Sequence, residues 1–213
     1  ALRGMAEVTL LPRCTAFGYY ADNFVTLLER LDEDGPTGGN RQRLWQIRAR
    51  QVVLATGALE RPLVFPDNDR PGIMLAGAAQ SYVNRYGVQP GARCVVFTNN
   101  DSAYAAALDM NRAGTAIEAI VDTRIEVEGE WPRLAREAGL PVFQGSVIVG
   151  TAGRRRVRAV TVQRLAGDGV AGSARRLICD CVAMSGGWNP SVHLFSQSRG
   201  ALEFQAEAGI FVP

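Results

Sequence analysis

The residues most suited to chemistry lie in Thr98-Asn99-Asn100-Asp101-Ser102, between a short apolar run and an alanine-rich stretch of helical spacing. A strand–loop–helix of this kind presents main-chain N–H groups at a helix N-terminus, where they can meet a pyrophosphate. Glycines normally permit that approach. Here the G-x-G-x-x-G pattern is absent, with Thr98, Asn100 and Ala103 in the three glycine positions. Side chains at Thr98 and Asn100 crowd a phosphate, and Asp101 repels it. Two readings stand: a nucleotide-binding turn around Asn100, or a structural turn in which Asn100 or Asp101 caps the helix with no ligand. Asp122 closes the next strand, 24 residues beyond Thr98. A carboxylate there accepts hydrogen bonds from an adenosine ribose and favours NAD over NADP, although Arg124 would suit a 2′-phosphate. An Asp that simply begins a turn is the plainer alternative.

Two further turns, Thr56-Gly57-Ala58 and Ser185-Gly186-Gly187, each follow an apolar run, and their glycines allow close approach of a cofactor or of another stretch of backbone. Trp188-Asn189-Pro190 reads as a bulky aromatic before a helix start, with the helix running through His193 and Leu194. His193, the one histidine, has no Cys, Asp or Glu close by and reads as a packed or surface residue rather than a base. Cys14, Cys94, Cys179 and Cys181 are too few and too scattered for a disulfide framework. They favour a reducing, cytoplasmic compartment. Cys179 and Cys181 read as two residues on one face of a strand, in a buried structural role. There is no C-x-x-C, no Ser/His/Asp arrangement, no Walker loop and no metal-binding cluster. The sequence offers no catalytic acid, base or nucleophile.

The elements that must position these residues follow from composition and period. The 213 residues are 47% hydrophobic and 21% charged with a net charge of +2. That is ordinary globular composition and gives no argument for nucleic acid or a membrane as partner. No apolar run reaches a membrane-spanning length, no signal-peptide pattern opens the chain, and Ala1 in place of Met suggests an internal piece. Phe24 to Leu28 reads as a strand, as does the alternation of Trp45, Ile47 and Ala49 with Gln46, Arg48 and Arg50, and Asp32 to Asn40 reads as the loop between them. Val52-Val53-Leu54-Ala55, apolar throughout, reads as a central strand of a covered sheet. A helix over Ala76 to Arg85, a strand over Cys94 to Phe97, and a helix carrying Ala103, Ala106, Ala107 and Met110 come next. They are followed by a strand over Ile117 to Val121, a helix over Pro132 to Ala138 and a strand at Val142-Phe143. That alternation is the signature of a parallel, doubly wound sheet. Strand-like runs over Ser146 to Val149, Val157 to Leu165 and Leu177 to Met184 repeat the meander-then-buried-strand order, and Ile210 to Val212 ends the chain as a strand. The expected fold is α/β: tandem Rossmann-like dinucleotide-binding folds with antiparallel β-meanders (three-layer ββα), the first one truncated. Its expected domains are 1–70 as the end of the first fold, 71–186 as an inserted second fold and 187–213 as the return to the first.

Val52 to Ala58 followed by Pro71-Gly72-Ile73, with Val182 to Pro190 as the return, resembles the pyridine nucleotide-disulfide oxidoreductase superfamily. Leu59-Glu60-Arg61-Pro62, Thr98 to Tyr104 and Ser185 to Pro190 together resemble, more closely, the alpha subunits of heterotetrameric sarcosine oxidases and their amine-oxidising relatives. The resemblance extends over essentially the whole chain. It implies a noncovalently bound NAD in the alpha chain and oxidation of sarcosine to glycine at the FAD of a beta subunit. It also implies a covalent FMN near the alpha–beta interface, smaller partner subunits, and a folate-binding domain further along the alpha chain. The Gly-rich loop of the first fold and the folate domain are not among these residues, so the piece alone is expected to be inactive. The dinucleotide contacts expected are Thr56, Gly57 and Ala58 with Gly186 and Gly187, and Asn100 and Asp122 as a second set. An NADH-dependent flavin oxidoreductase, a subunit of an opine oxidase or of a cyanide-forming amine oxidase, and a structural domain with a decayed nucleotide site are the rival readings.

Overall fold

The computed structural model describes residues 2–31 and 40–213. The loop expected over 32–40 therefore lies, Asn40 apart, outside the described residues. The chain divides into two units, a flanking unit of residues 1–59 with 189–213 and an inserted unit of residues 60–188.

The flanking unit opens with an antiparallel sheet, β1 (Cys14–Tyr20), β2 (Phe24–Arg30) and β3 (Gln42–Arg48), in the order β1-β2-β3. The alternation expected of Trp45 and Ile47 is present as a half-buried face of β3. Residues 52–55 are not the central strand their composition suggests. They form no strand, and Val53 is 90% exposed. A central strand needs hydrogen-bonding neighbours along both edges, and among the described residues none pairs with this segment. The short strand β4 (Ala58–Glu60) then leads into the inserted unit.

The inserted unit has three layers. Its middle layer is a parallel sheet made of β5 (Ile73–Leu75), β6 (Arg93–Thr98), β7 (Ala116–Asp122), β8 (Val142–Phe143) and, after a meander, β12 (Cys181–Ser185). Helices α1 (Ala76–Tyr86), α2 (Ser102–Arg112) and α3 (Glu130–Glu137) pack on one face, joining Cys94, Val96, Ile117, Ile120, Cys181 and Ala183. The meander β9 (Ser146–Ala152), β10 (Ala159–Ala166) and β11 (Gly169–Ile178) covers the other face. There Ile148, Val160, Val162 and Leu177 meet Val95, Phe97, Val121 and Met184. With both faces covered, β6, β7 and β12 bury apolar side chains on both sides, which is why they read as predominantly hydrophobic runs, broken within β7 only by Glu118, which pairs with Arg93. The strand order is β5-β12-β6-β7-β8, so the chain winds outward from β6 through β7 to β8 and returns to β12 on the opposite side. The point between β6 and β12 where winding reverses is where doubly wound sheets bind ligands, at the carboxyl ends of the strands.

The run Leu177 to Met184 is two strands of two different sheets, broken at Cys179-Asp180. The Asp180 carboxylate accepts the N–H groups of Ala92 and Arg93 at 3.2 and 2.9 Å, which turns the chain at the start of β12. Cys179 and Cys181 therefore do not share a face: Cys179 packs in the meander layer and Cys181 in the helix layer. The strand β11 extends back to Gly169 through residues that are almost all exposed, because it is the outer edge of the meander.

Returning to the flanking unit, Trp188–Pro190 is a strand, β13, rather than a helix start, and α4 (His193–Gln197) begins three residues after Pro190. Ser191 N–H donates to the Gly57 carbonyl at 2.9 Å and holds this stretch extended. The hairpin β14 (Glu203–Gln205) and β15 (Ile210–Val212) follows.

Candidate functional site

Two places combine the turns singled out by sequence, one in each unit. In the inserted unit, the carboxyl ends of β6, β7 and β12 bring Asn100, Asp122 and the Ser185-Gly186-Gly187 turn to one edge of the parallel sheet. Thr98, buried at the end of β6, folds the following turn back on itself: its hydroxyl accepts Asn100 N–H at 3.0 Å and donates to the Asn100 carbonyl at 2.9 Å. Asn100 then spans the winding-reversal point. Its amide nitrogen donates to the carbonyl and the hydroxyl of Ser185, both at 3.1 Å. Its side-chain oxygen accepts Ser102 N–H at 3.1 Å and the Ser102 hydroxyl at 2.6 Å. The Trp188 indole N–H donates to that same hydroxyl at 2.9 Å. Of the two capping candidates, Asn100 is the one whose side chain takes a helix N–H, and Asp101 makes no side-chain cap bond.

Asp122 is fully buried, and each of its oxygens accepts two donors. One takes the N–H and Nε of Arg124 at 2.9 and 3.1 Å, the other the Tyr104 hydroxyl and Arg124 Nη2, both at 2.8 Å. Arg124 also pairs with Asp101 at 2.8 Å. Burial, reinforced by the bond to Asp122, pushes the Tyr104 phenol well above its ordinary value, so it stays a donor. The bonds to Asp122 and Asp101 hold the Arg124 guanidinium charged against its partial burial. Tyr104, Ser185, Ser102 and Trp188 were not singled out by sequence reasoning as partners of Asn100 or Asp122. The available signal was Tyr104 itself, a large polar residue on the buried, alanine-rich face of α2.

Gly186 and Gly187 lie where the chain crosses itself. Gly186 N–H donates to the Arg61 carbonyl at 2.7 Å, and Arg61 N–H donates to the Gly187 carbonyl at 2.8 Å. A Cβ at Gly186 would stand 2.9 Å from the Pro62 carbonyl oxygen. The neighbouring Glu60 caps α1, accepting Gly77 N–H at 2.8 Å. The Leu59-Glu60-Arg61-Pro62 motif thus has a structural use on this side of the molecule.

The flanking unit places Thr56, Gly57 and Ala58 differently. The Thr56 hydroxyl donates to the Ser191 carbonyl at 2.7 Å, and Gly57 takes a positive φ of 68° with nothing within 4 Å of where a Cβ would stand. The turn borders a cavity of about 660 Å³, with Tyr19, Val52, Leu54, Pro190 and Phe195 among its walls. That volume is within the roughly 300–1,000 Å³ usual for small-molecule and cofactor sites. His193 is exposed on α4. Cys94, Cys179 and Cys181 are buried free thiols. Burial pushes Cys179 up to about 12, and a bond to Cys181 together with burial raises Cys94. The same bond holds the Cys181 thiol below its ordinary value against its burial, and all three thiols pack in the core. Among the described residues no cluster of His, Cys, Asp or Glu could hold a metal ion, and no helix is long and apolar enough to cross a membrane.

No protein-family model matches the chain. Over its full length it is 45% identical to the sarcosine oxidase subunit alpha of Corynebacterium sp. strain P-1, of which it covers 22%. The chain is homologous to a stretch of the sarcosine oxidase alpha subunit. The corresponding subunit of Rhizobium meliloti is 39% identical over 99% of this chain, and 21% of that subunit is covered. The chain thus spans about a fifth of the length of these alpha subunits. Among solved structures, the thioredoxin reductase of T. acidophilum superposes with a TM-score of 0.62 at 13% identity, covering 91% of this chain and 58% of that one. The L-proline dehydrogenase of P. horikoshii superposes with a TM-score of 0.59 at 20% identity, covering 94% of this chain and 32% of that one. At such identities these likenesses concern the fold alone, a mixed α/β, Rossmann-like architecture of parallel sheet and antiparallel meander, as the sequence led one to expect.

Proposed function

We propose that this chain is the dinucleotide-binding and scaffolding stretch of the alpha subunit of a sarcosine-oxidase-type complex, which oxidatively demethylates sarcosine to glycine. The observation that carries this reading is 45% identity to such a subunit across the whole of the chain. The dinucleotide is NAD, held at the Thr56-Gly57-Ala58 turn. FAD and FMN belong mainly to the beta subunit, which with the smaller subunits is this chain's partner. The buried free thiols suit a reducing, cytoplasmic setting.

The residues of the flanking unit fit such a group. Gly57 leaves its main chain approachable, and the bonds of Thr56 and Gly57 to Ser191 hold the turn in one conformation before any ligand arrives. Tyr19, Val52, Leu54 and Phe195 supply apolar walls that exclude water from flat rings. NAD, when bound, supplies a site that accepts or returns a hydride. This chain's own part is to bind and orient it, and no side chain here is assigned as acid, base or nucleophile.

The test is calorimetric titration of the full-length alpha subunit with NAD, NADP and FAD, joined to a sarcosine oxidation assay of the assembled complex. Saturable NAD binding, much weaker NADP binding and turnover of sarcosine are expected. A fully flavinated complex that leaves sarcosine untouched overturns the substrate assignment, and failure to take up NAD overturns the cofactor assignment.

A further inference from the structure

We infer that the inserted unit is latched shut at its winding-reversal point by its own side chains, with Asn100 holding the donors that a nucleotide phosphate would take. In an open site of this fold, the first N–H groups of the helix point at the ligand's pyrophosphate. Here Ser102 N–H at the start of α2 is spent on Asn100 Oδ1 at 3.1 Å, and the Ser102 hydroxyl is spent there too, at 2.6 Å. From the same side chain the amide nitrogen reaches across to Ser185 on β12, so one residue ties β6, α2 and β12 together. Trp188, at the start of β13, bonds to Ser102 as well.

The ribose end of the crevice is closed as well. Both oxygens of the buried Asp122 already carry two donors, which fills the capacity a ribose hydroxyl would use. Arg124 lies on Asp122 and Asp101 together, so its charge is not offered to a 2′-phosphate. Asp101 adds a carboxylate beside the helix N-terminus, where a phosphate would have to come. A dinucleotide entering this unit would need to break the Asn100, Ser102 and Trp188 bonds together and then face a like charge. Asn100 is on this account a positioning residue that stands in for a ligand, and the inserted unit is a scaffold. The inference uses the reading above only for the identity of the ligand, NAD; the latch itself rests on the bonds just described.

Hydrogen exchange followed by mass spectrometry on the full-length subunit tests it, in the peptide covering 98–104 with and without saturating NAD. The latch requires slow exchange in that peptide before NAD is added and no added protection afterwards. It further requires that Asn100→Ala raise exchange there by about tenfold or more, while the NAD dissociation constant stays within about threefold of wild type. Trp188→Phe, which keeps an aromatic ring and removes one donor, serves if Asn100→Ala does not fold, with the same direction and a smaller change. Protection of 98–104 by NAD overturns the latch, as does weakened NAD binding in either variant at unchanged melting temperature. Should the intact subunit bind no NAD at all, the cofactor assignment fails. The latch then stands or falls on exchange in the ligand-free protein, slow upholding it and fast overturning it.

Discussion

The turns at Gly57 and Gly186 look alike in sequence, a small polar residue and a glycine after an apolar run, yet their surroundings are opposite. A Cβ at Gly57 would meet nothing within 4 Å, whereas one at Gly186 would meet the Pro62 carbonyl at 2.9 Å and the Arg61 carbonyl at 3.2 Å. The first glycine keeps a main chain open beside a cavity; the second lets two stretches of backbone cross. The same contrast runs through the two places as wholes. The flanking unit ties its turn to Ser191 and leaves one side free, while the inserted unit meets the polar groups of its turn with its own side chains. A glycine after a strand therefore says that something comes close, and only its neighbours say whether that is the protein or a ligand.

The largest expected effect falls on the closed place. Asp122→Ala removes a fully buried carboxylate from Tyr104 and from Arg124, which is itself about two-thirds buried. It should destabilise the inserted unit by about 3 kcal/mol, the lower end of the range for breaking a buried pair because Arg124 retains some water. Denaturant unfolding of the subunit measures it, and a loss under about 1 kcal/mol would mean that the network is slack. Gly186→Ala comes next, at about 2 kcal/mol, since backbone oxygens cannot move aside as a side chain can. By contrast Gly57→Ala should cost only about 1 kcal/mol, the strain of a positive φ. Gly57→Val should nonetheless weaken NAD binding by about tenfold or more, because branched carbons fill the approach to the main chain. If Gly57→Ala proved as damaging to folding as Gly186→Ala, the two turns would be the same kind of site and the comparison would collapse.

What was legible in the sequence follows the same division between local and distant causes. β6 and β7 were readable because strands covered on both faces are mostly apolar, and β12 was readable only as the end of a longer run. Composition could not say that residues 52–55 go unpaired along their edges, nor that the exposed, mostly small residues from Gly169 to Arg176 would pair as the rim of the meander. The break at Asp180 is set by N–H groups some 87 residues away, at Ala92 and Arg93. At the candidate site, spacing points to the Asn100 turn and to Asp122, but it does not choose between a ligand turn and a self-capped one. Its partners, Ser185 and Trp188, stand 85 and 86 residues from the groups they bond, beyond the reach of any local pattern. Tyr104 was within reach, and its place among alanines on α2 was the overlooked sign.

The smallest effect tests whether the inserted unit is a scaffold throughout. Asp109 on α2 accepts Gln80 and Asn84 of α1 at 2.8 and 2.7 Å and pairs with Arg112 at 3.1 Å. Partial burial works to raise its carboxyl, but the bonds from Asn84, Gln80 and Arg112 outweigh it and hold the group below its ordinary value. A carboxylate depressed in the folded state stabilises fully above its unfolded value. That contribution is lost as pH falls from about 4 through the lower folded value. Asp109→Asn should therefore cost about 1 kcal/mol at neutral pH, with the gap to wild type narrowing below about pH 4. Because α1 and α2 meet through this group inside a unit that needs no ligand, saturating NAD should leave that gap unchanged at every pH. A gap that shrinks when NAD is added would mean that NAD braces these helices, and the division between an open flanking turn and a closed inserted one would have to be redrawn.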